Sequence, residues 1–145
     1  MENKLSVENR VKIIALDFDG VLTNLNVDWR SAIHLASTIA GYNVKSLLAF
    51  YEDSHGTQVF QKVSSEIEKL ELEALKSATP APFVPEFLEK ISKSDIQVYL
   101  VSMQSAMVIW KFLPSHNLAR YFREILTREN FPSKKAQVEY ILHES

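Results

Sequence analysis

The run Val11-Lys12-Ile13-Ile14-Ala15-Leu16, closed by Asp17-Phe18-Asp19-Gly20, constrains this chain more than any other stretch. A short apolar, partly β-branched run bounded by turn signals reads as a strand buried on both faces, as in a parallel sheet. A strand over 11–17 puts Asp17 and Asp19 at its carboxyl end, and strand alternation turns residues i and i+2 to one side. Open α/β sheets hold their ligands at that end. Two carboxylates so close repel each other unless a cation lies between them or one keeps its proton. The pair therefore asks for a metal ion, a shared proton or both. A polar turn would accept Asp-x-Asp-Gly equally well. A calcium loop would not, because it needs further oxygen ligands at regular spacing, whereas Val21, Leu22 and Thr23 follow here.

The rest of the chain alternates helix and strand. A loop over Asn24–Asn26 leads into helical patterns that continue to Ala78. Asp28 precedes Trp29, Ile33, Ala36 and Ile39-Ala40 recur at helical spacing, and Gly41 ends that helix. A second short helix is expected over 44–51, with a break at Asp53, Ser54 and Gly56. From Thr57 onward Val59, Phe60, Val63, Ile67, Leu70, Ala74 and Leu75 form an apolar stripe with a period of about 3.6. Glu66, Glu68, Lys69, Glu71, Glu73 and Lys76 then fill the remaining surface. Pro80, Pro82 and Pro85 interrupt the chain. A short amphipathic helix over 83–93 follows, then a strand over 96–101 with Ser102 at its end. A helix over 105–113 stops at Pro114, a third short strand lies within 121–127, and Ser133 caps a last helix through Leu142. This order predicts a parallel α/β sheet with right-handed crossovers. The block from Leu25 to Thr79 is too long for one crossover and reads as an inserted all-helical module.

Composition narrows the classes. At 145 residues the chain is about one domain, and its 46% apolar content supplies a core. A net charge of −2, from 16 basic and 18 acidic residues, gives no electrostatic case for nucleic acid or an anionic membrane. Cysteine is absent, so disulfide and thiolate chemistry are excluded. No apolar run reaches the length of a membrane span, and the polar start Met1–Glu8 is unlike a secretory signal. A soluble, cytoplasmic protein with a lead-in over residues 1–10 is the expectation.

Asp17-Phe18-Asp19-Gly20-Val21-Leu22-Thr23 resembles the first motif of the haloacid dehalogenase-like phosphohydrolases. That resemblance implies a Rossmann-like parallel sheet, over 1–23 and 80–145, with a helical cap over 24–79. It implies Mg²⁺-dependent hydrolysis of a small phosphorylated metabolite through an aspartyl-phosphate. Asp17 would be the nucleophile, Asp19 the general acid/base, and both would hold the metal. Ser102 is similar to the family's second motif and, with Gly20, would bind phosphate. A strand-end Ser is otherwise a plain turn or cap. Lys134 is similar to the third motif, where a cation offsets the charge between two anions; Lys135 is the adjacent candidate, and a solvated surface pair is the bland alternative. The family's dehalogenases lack an acid at the second position, so Asp19 favours phosphate chemistry, with a phosphomutase also possible. Asn24, Trp29, Arg30 and Tyr42 are candidates for the site wall by location, Trp29 also as a packing anchor. His34, His55, His116 and His143 show no metal-ligand spacing.

The fourth family motif, an acidic residue on a further strand, has no match before Ser145. The resemblance then implies a core cut short at its C-terminus, with the first strand left as an open edge. A fragment of a longer enzyme, a partner or second copy that completes the sheet, and a reduced relative with little catalysis all fit, the first best. A non-catalytic binding module is the alternative function. A phosphoacceptor domain is a third option, which the inserted helices argue against.

Overall fold

The computed structural model describes residues 11–145, so the lead-in expected over residues 1–10 lies outside the described residues. Strands β1 (Ile13–Asp17), β2 (Gln97–Val101) and β3 (Glu124–Leu126) form one parallel sheet in the order β1-β2-β3. Asp17 sits opposite Val101, and Val101 opposite Leu126. Helices α1 (Trp29–Ala40), α2 (Leu47–Ser54) and α3 (Gln58–Leu75) follow β1. Then come α4 (Val84–Ser92) before β2, α5 (Ala106–Ser115) and a single 3₁₀ turn before β3, and α6 (Lys134–Glu144) after it. This is a Rossmann-type α/β fold with a helical excursion after its first strand.

Two strands differ in cover. Val98 to Val101 of β2 are all buried. β1 departs from the expectation of burial on both faces: among the described residues it is an edge strand, with Ala15 exposed and its neighbours half-buried. A strand paired on one side lacks the cover that a second neighbour gives. Apolar composition alone overstated its burial.

Every α-helix start among the described residues except that of α4, which has a proline in its first turn, is set by a side-chain oxygen that accepts otherwise unpaired backbone N–H groups. Asp28 accepts from Arg30 and Ser31, and Ser46, Thr57, Ser105 and Ser133 each accept from the residue three further on. Gly41, at φ +83°, closes α1 in the left-handed conformation that glycine adopts without a Cβ penalty. α2 begins later than expected because Val44 is buried and donates its N–H to Ser37 Oγ at 2.9 Å, leaving Ser46 as the cap. It also runs on through Ser54, whose buried hydroxyl donates to Phe50 O at 2.6 Å. α5 does not stop before Pro114 but includes it. The proline falls in the last turn, where tighter bonds take over: His116 and Leu118 both donate to Leu113 O, and Asn117 turns left-handed at φ +59°.

Helices cover both sheet faces. Val98 and Leu100 look into a cluster with Phe18, Leu22, Leu88, Val108 and Phe112. Tyr99 and Val101 look the other way, onto Leu126 and Ile141 of α6. A third cluster joins Ala32, Phe50, Tyr51, Phe60, Val63 and Ile67 of α1–α3 to Met103, just past β2. Each fully buried side chain of this kind contributes about 1.5–3 kcal/mol. The two ends of the helical segment are stitched together. Thr23 Oγ1 donates to Thr79 O at 2.6 Å, and Ala81 N donates to Leu22 O at 2.7 Å. Among the described residues no helix is long and apolar enough to cross a membrane.

Candidate active site

The carboxyl end of β1 curls sharply. Leu22 and Thr23 donate their N–H groups to Phe18 O at 2.9 and 3.2 Å, and Gly20 donates to Thr23 O at 2.7 Å. Gly20 sits at φ +89°, where a side chain would be strained. Phe18 is fully buried and meets Phe112 edge-on at 5.2 Å. The residues on either side of it are thereby turned out of the core. Backbone donors then fix each carboxylate: Asp17 Oδ1 accepts from Phe18 N at 2.7 Å and Asp19 Oδ1 from Leu25 N at 2.8 Å.

α6 brings the cation. Ser133 Oγ accepts from Ala136 N at 3.1 Å and starts the helix, so Lys134 is its first residue. Lys134 Nζ donates to Asp17 Oδ2, an ion pair that spans 117 positions of sequence. Lys135 is exposed and stands outside this arrangement.

Asp17, Asp19 and Lys134 line one pocket of about 390 Å³ together with Met103 and Gln104 from the end of β2. The facing wall comes from the helical segment: Trp29 and Ile33 of α1, Lys45 and Ser46 before α2, Tyr51 of α2, and Glu71 of α3. Trp29 also packs against the helical cluster.

Other candidates lie elsewhere. Ser102 is fully buried; its hydroxyl donates to Gln104 Oε1 at 2.6 Å and accepts from Gln104 N at 3.0 Å. Its carbonyl accepts from Gln137 Nε2 at 2.7 Å. Gln104, not Ser102, reaches the pocket. Gly20 and Asn24 line a separate groove beside the Thr23–Thr79 stitch, and Gly20 N–H is already engaged. Arg30 borders a depression on the far side of α1, and Tyr42 is exposed outside the pocket.

Sequence reasoning placed Glu71 on the solvent side of α3, which the structure corrects: Glu71 is 1% and Arg128 0% exposed, and they form a forked ion pair. Arg128 Nη1 donates to Glu71 Oε1 at 3.0 Å and Oε2 at 2.8 Å, and to Met103 O at 3.3 Å. Its Nε and Nη2 donate to Ser64 Oγ and Ser64 O, both at 2.8 Å. The signal was present in the spacing. Glu71 lies four residues after Ile67 and seven after Ser64, on the buried stripe rather than off it. Burial pushes the Glu71 carboxyl above the usual range, against the pull of Arg128. Burial would lower the Arg128 pKa, but the Glu71 carboxylate holds it above its ordinary value. Burial also pushes the Tyr51 phenol up to about 12, while Arg128, 5.2 Å from the Tyr51 ring centre, pulls it down.

Among the described residues no three acidic, His or Cys side chains gather as a metal site. The oxygens of Asp17 and Asp19 nonetheless fit Mg²⁺ in kind, because that ion takes one or two carboxylates and keeps several waters. Asp19 Oδ2 has no protein hydrogen bond among the described residues, which leaves it free to carry a proton, while the Asp17 carboxylate and the Asp19 main-chain carbonyl would hold the ion.

The sequence profile of the haloacid dehalogenase-like hydrolases matches residues 14–144. No curated protein sequence matches the chain. Among solved structures, a haloacid dehalogenase-like family hydrolase from Streptococcus pneumoniae superposes with a TM-score of 0.60 at 15% identity, over 92% of this chain and 70% of that one. A predicted phosphoglycolate phosphatase from Haemophilus somnus gives 0.57 at 17%, over 94% and 72%. L-2-haloacid dehalogenase from Xanthobacter autotrophicus gives 0.53 at 13%, over 92% and 65%. At such identities the structural likeness is one of fold, and the family follows from the profile: this chain belongs to the haloacid dehalogenase-like hydrolases.

Proposed function

We propose that this hydrolase cleaves phosphate esters of small metabolites through an aspartyl-phosphate on Asp17, with Mg²⁺ as cofactor. The observation that carries the reading is the meeting of Asp17, Asp19 and Lys134 in one pocket, with Lys134 donating to Asp17. A pocket of about 390 Å³ suits a small ligand.

In the first step an Asp17 carboxylate oxygen attacks phosphorus and the ester P–O bond breaks. Asp19, as general acid, gives a proton to the leaving oxygen. In the second step Asp19, now a carboxylate, takes a proton from water as that water attacks the phosphoryl group on Asp17. Phosphate leaves and Asp17 is restored. Lys134 holds Asp17 in place and offsets the negative charge gathered between carboxylate and phosphoryl oxygens. Gln104 takes the phosphoryl contact expected of Ser102, whose hydroxyl it holds. Mg²⁺, held by Asp17 and Asp19, would supply further charge neutralisation. The helical segment 24–79 acts as a cap on a core whose described part is 11–23 and 80–145; it covers the reacting groups and limits water.

The test is turnover of an aryl phosphate with and without Mg²⁺. Asp17→Asn should cut kcat by roughly 10⁴-fold; turnover retained in that variant would refute the nucleophile. A second reading, a phosphate-ester-binding module with little turnover, is favoured by the fact that, among the described residues, no third acidic, His or Cys side chain joins Asp17 and Asp19 as a metal ligand. Tight binding without turnover in the folded wild type would select it.

A further inference from the structure

Three carboxylates line the pocket, Asp17, Asp19 and Glu71, against two ammonium groups, Lys45 and Lys134. Lys134 is committed to Asp17. A phosphate ester is itself an anion, so a free Glu71 carboxylate in the wall would repel it. Arg128 takes both Glu71 oxygens and is itself shut off from solvent. We propose that Arg128 is a positioning residue for this pocket: it cancels the Glu71 charge and fixes α3, through Ser64 and Glu71, to the Met103 carbonyl at the end of β2. The inference rests on the phosphatase reading and adds a residue to it that touches neither substrate nor metal.

The geometry calls for arginine specifically. Five contacts leave the guanidinium from three nitrogens: Nη1 reaches both Glu71 oxygens and the Met103 carbonyl, while Nε and Nη2 reach Ser64 on another side. A lysine ammonium is a point charge with three donors and cannot span Ser64, Glu71 and Met103 at once. Three of the residues Arg128 faces, Glu71, Tyr51 and Met103, line the pocket. A pair kept only to join α3 to the sheet has no need of charge, because well-packed apolar residues hold such a junction equally well or better.

The test compares wild type, Arg128→Met and Arg128→Met/Glu71→Leu by KM for an aryl phosphate and by calorimetric Kd for inorganic phosphate. Arg128→Met leaves the buried Glu71 without its partner, so both constants should rise about tenfold at alkaline pH, more at low ionic strength, and rise less toward lower pH, where burial keeps Glu71 protonated. Removing the carboxylate as well should return both to within about threefold of wild type. A junction role alone would move thermal stability without this rescue. Should Arg128→Met fail to fold, the double variant decides, since it leaves no buried charge: constants near wild type support charge cancellation, and a rise of about tenfold overturns it. Unchanged constants at alkaline pH in a folded Arg128→Met also overturn it. A wild type that neither turns over nor binds phosphate refutes the phosphatase reading and this inference together. A competent wild type with an unrescued double variant refutes the inference alone.

Discussion

Phe18→Leu tests whether core packing aims the two carboxylates. Phe18 is 0% exposed, lies between Asp17 and Asp19, and meets Phe112 edge-on at 5.2 Å. Leucine keeps most of the volume, so repacking costs under about 1.5 kcal/mol. Losing the ring pair costs about 0.5–1.5 kcal/mol more. The sum, roughly 0.5–3 kcal/mol, leaves a folded protein out of a total of about 5–15 kcal/mol. The melting temperature should fall by roughly 2–12 °C. The Phe18 carbonyl also anchors the curl, through Leu22 and Thr23, so a looser side chain shifts both carboxylates. Misplacement by about 1 Å costs on the order of 10²-fold in rate, and kcat should drop about ten- to a hundredfold. Phe112→Leu breaks the same ring pair from the α5 side without touching the curl. It should match Phe18→Leu in stability and keep kcat within about threefold of wild type. Urea unfolding with steady-state turnover on both variants measures this. If Phe18→Leu melts earlier yet keeps its kcat, or if Phe112→Leu loses as much activity, the core does not aim the site.

Lys134→Ala should lower kcat/KM by about 10²–10³-fold, whereas Lys135→Ala should stay within about twofold; equal effects would reject the assignment to Lys134. Ser133→Ala removes the cap that starts α6 and should cost about 1 kcal/mol by urea unfolding, with a fall in kcat because Lys134 is the first helical residue. Tyr51 sets a high-pH limit. An unfolded tyrosine ionises near pH 10, but burial holds Tyr51 neutral up to about 12. Between these values the folded state keeps a proton that the unfolded chain has lost, so the Tyr51 contribution is intact below about pH 10 and is lost as pH rises toward 12. Tyr51→Phe should flatten that decline by about 2–3 kcal/mol in unfolding curves taken across the range.

Local signals carried much of the architecture. The turn chemistry of Asp28, Gly41, Thr57 and Ser133 marks the ends of α1, α3 and α6 within a residue. The resemblance of the Ser133-Lys134 stretch to a family motif narrowed the cation to Lys134 or its neighbour Lys135, and in the structure it is Lys134 that meets Asp17. What the sequence hid are pairings between distant positions. Glu71 and Arg128 stand 57 positions apart, and a glutamate among Glu68, Lys69 and Glu73 looks solvated until its phase against Ile67 is counted. Ser102 holds the expected place at a strand end. Composition could not say that its hydroxyl would turn to Gln104, two residues on. The apolar run of β1 overstated burial for a related reason: edge or centre is decided by neighbours, not by the strand itself.

The stitch between Thr23 and Thr79 has an evolutionary corollary. The chain leaves the sheet and returns to it through one hydrogen-bonded doorway, after an excursion of 56 positions. Closing such an excursion costs only about 0.6 kcal/mol more for each doubling of its length. Insertions, deletions or exchange of the helices can therefore occur behind that doorway without moving the register of β1 on β2. Contacts such as Arg128 with Ser64 and Glu71, and the packing of the helical cluster on Met103, resist the exchange. Within this architecture, specificity can drift helix by helix while the carboxylate pair stays where the strand leaves it.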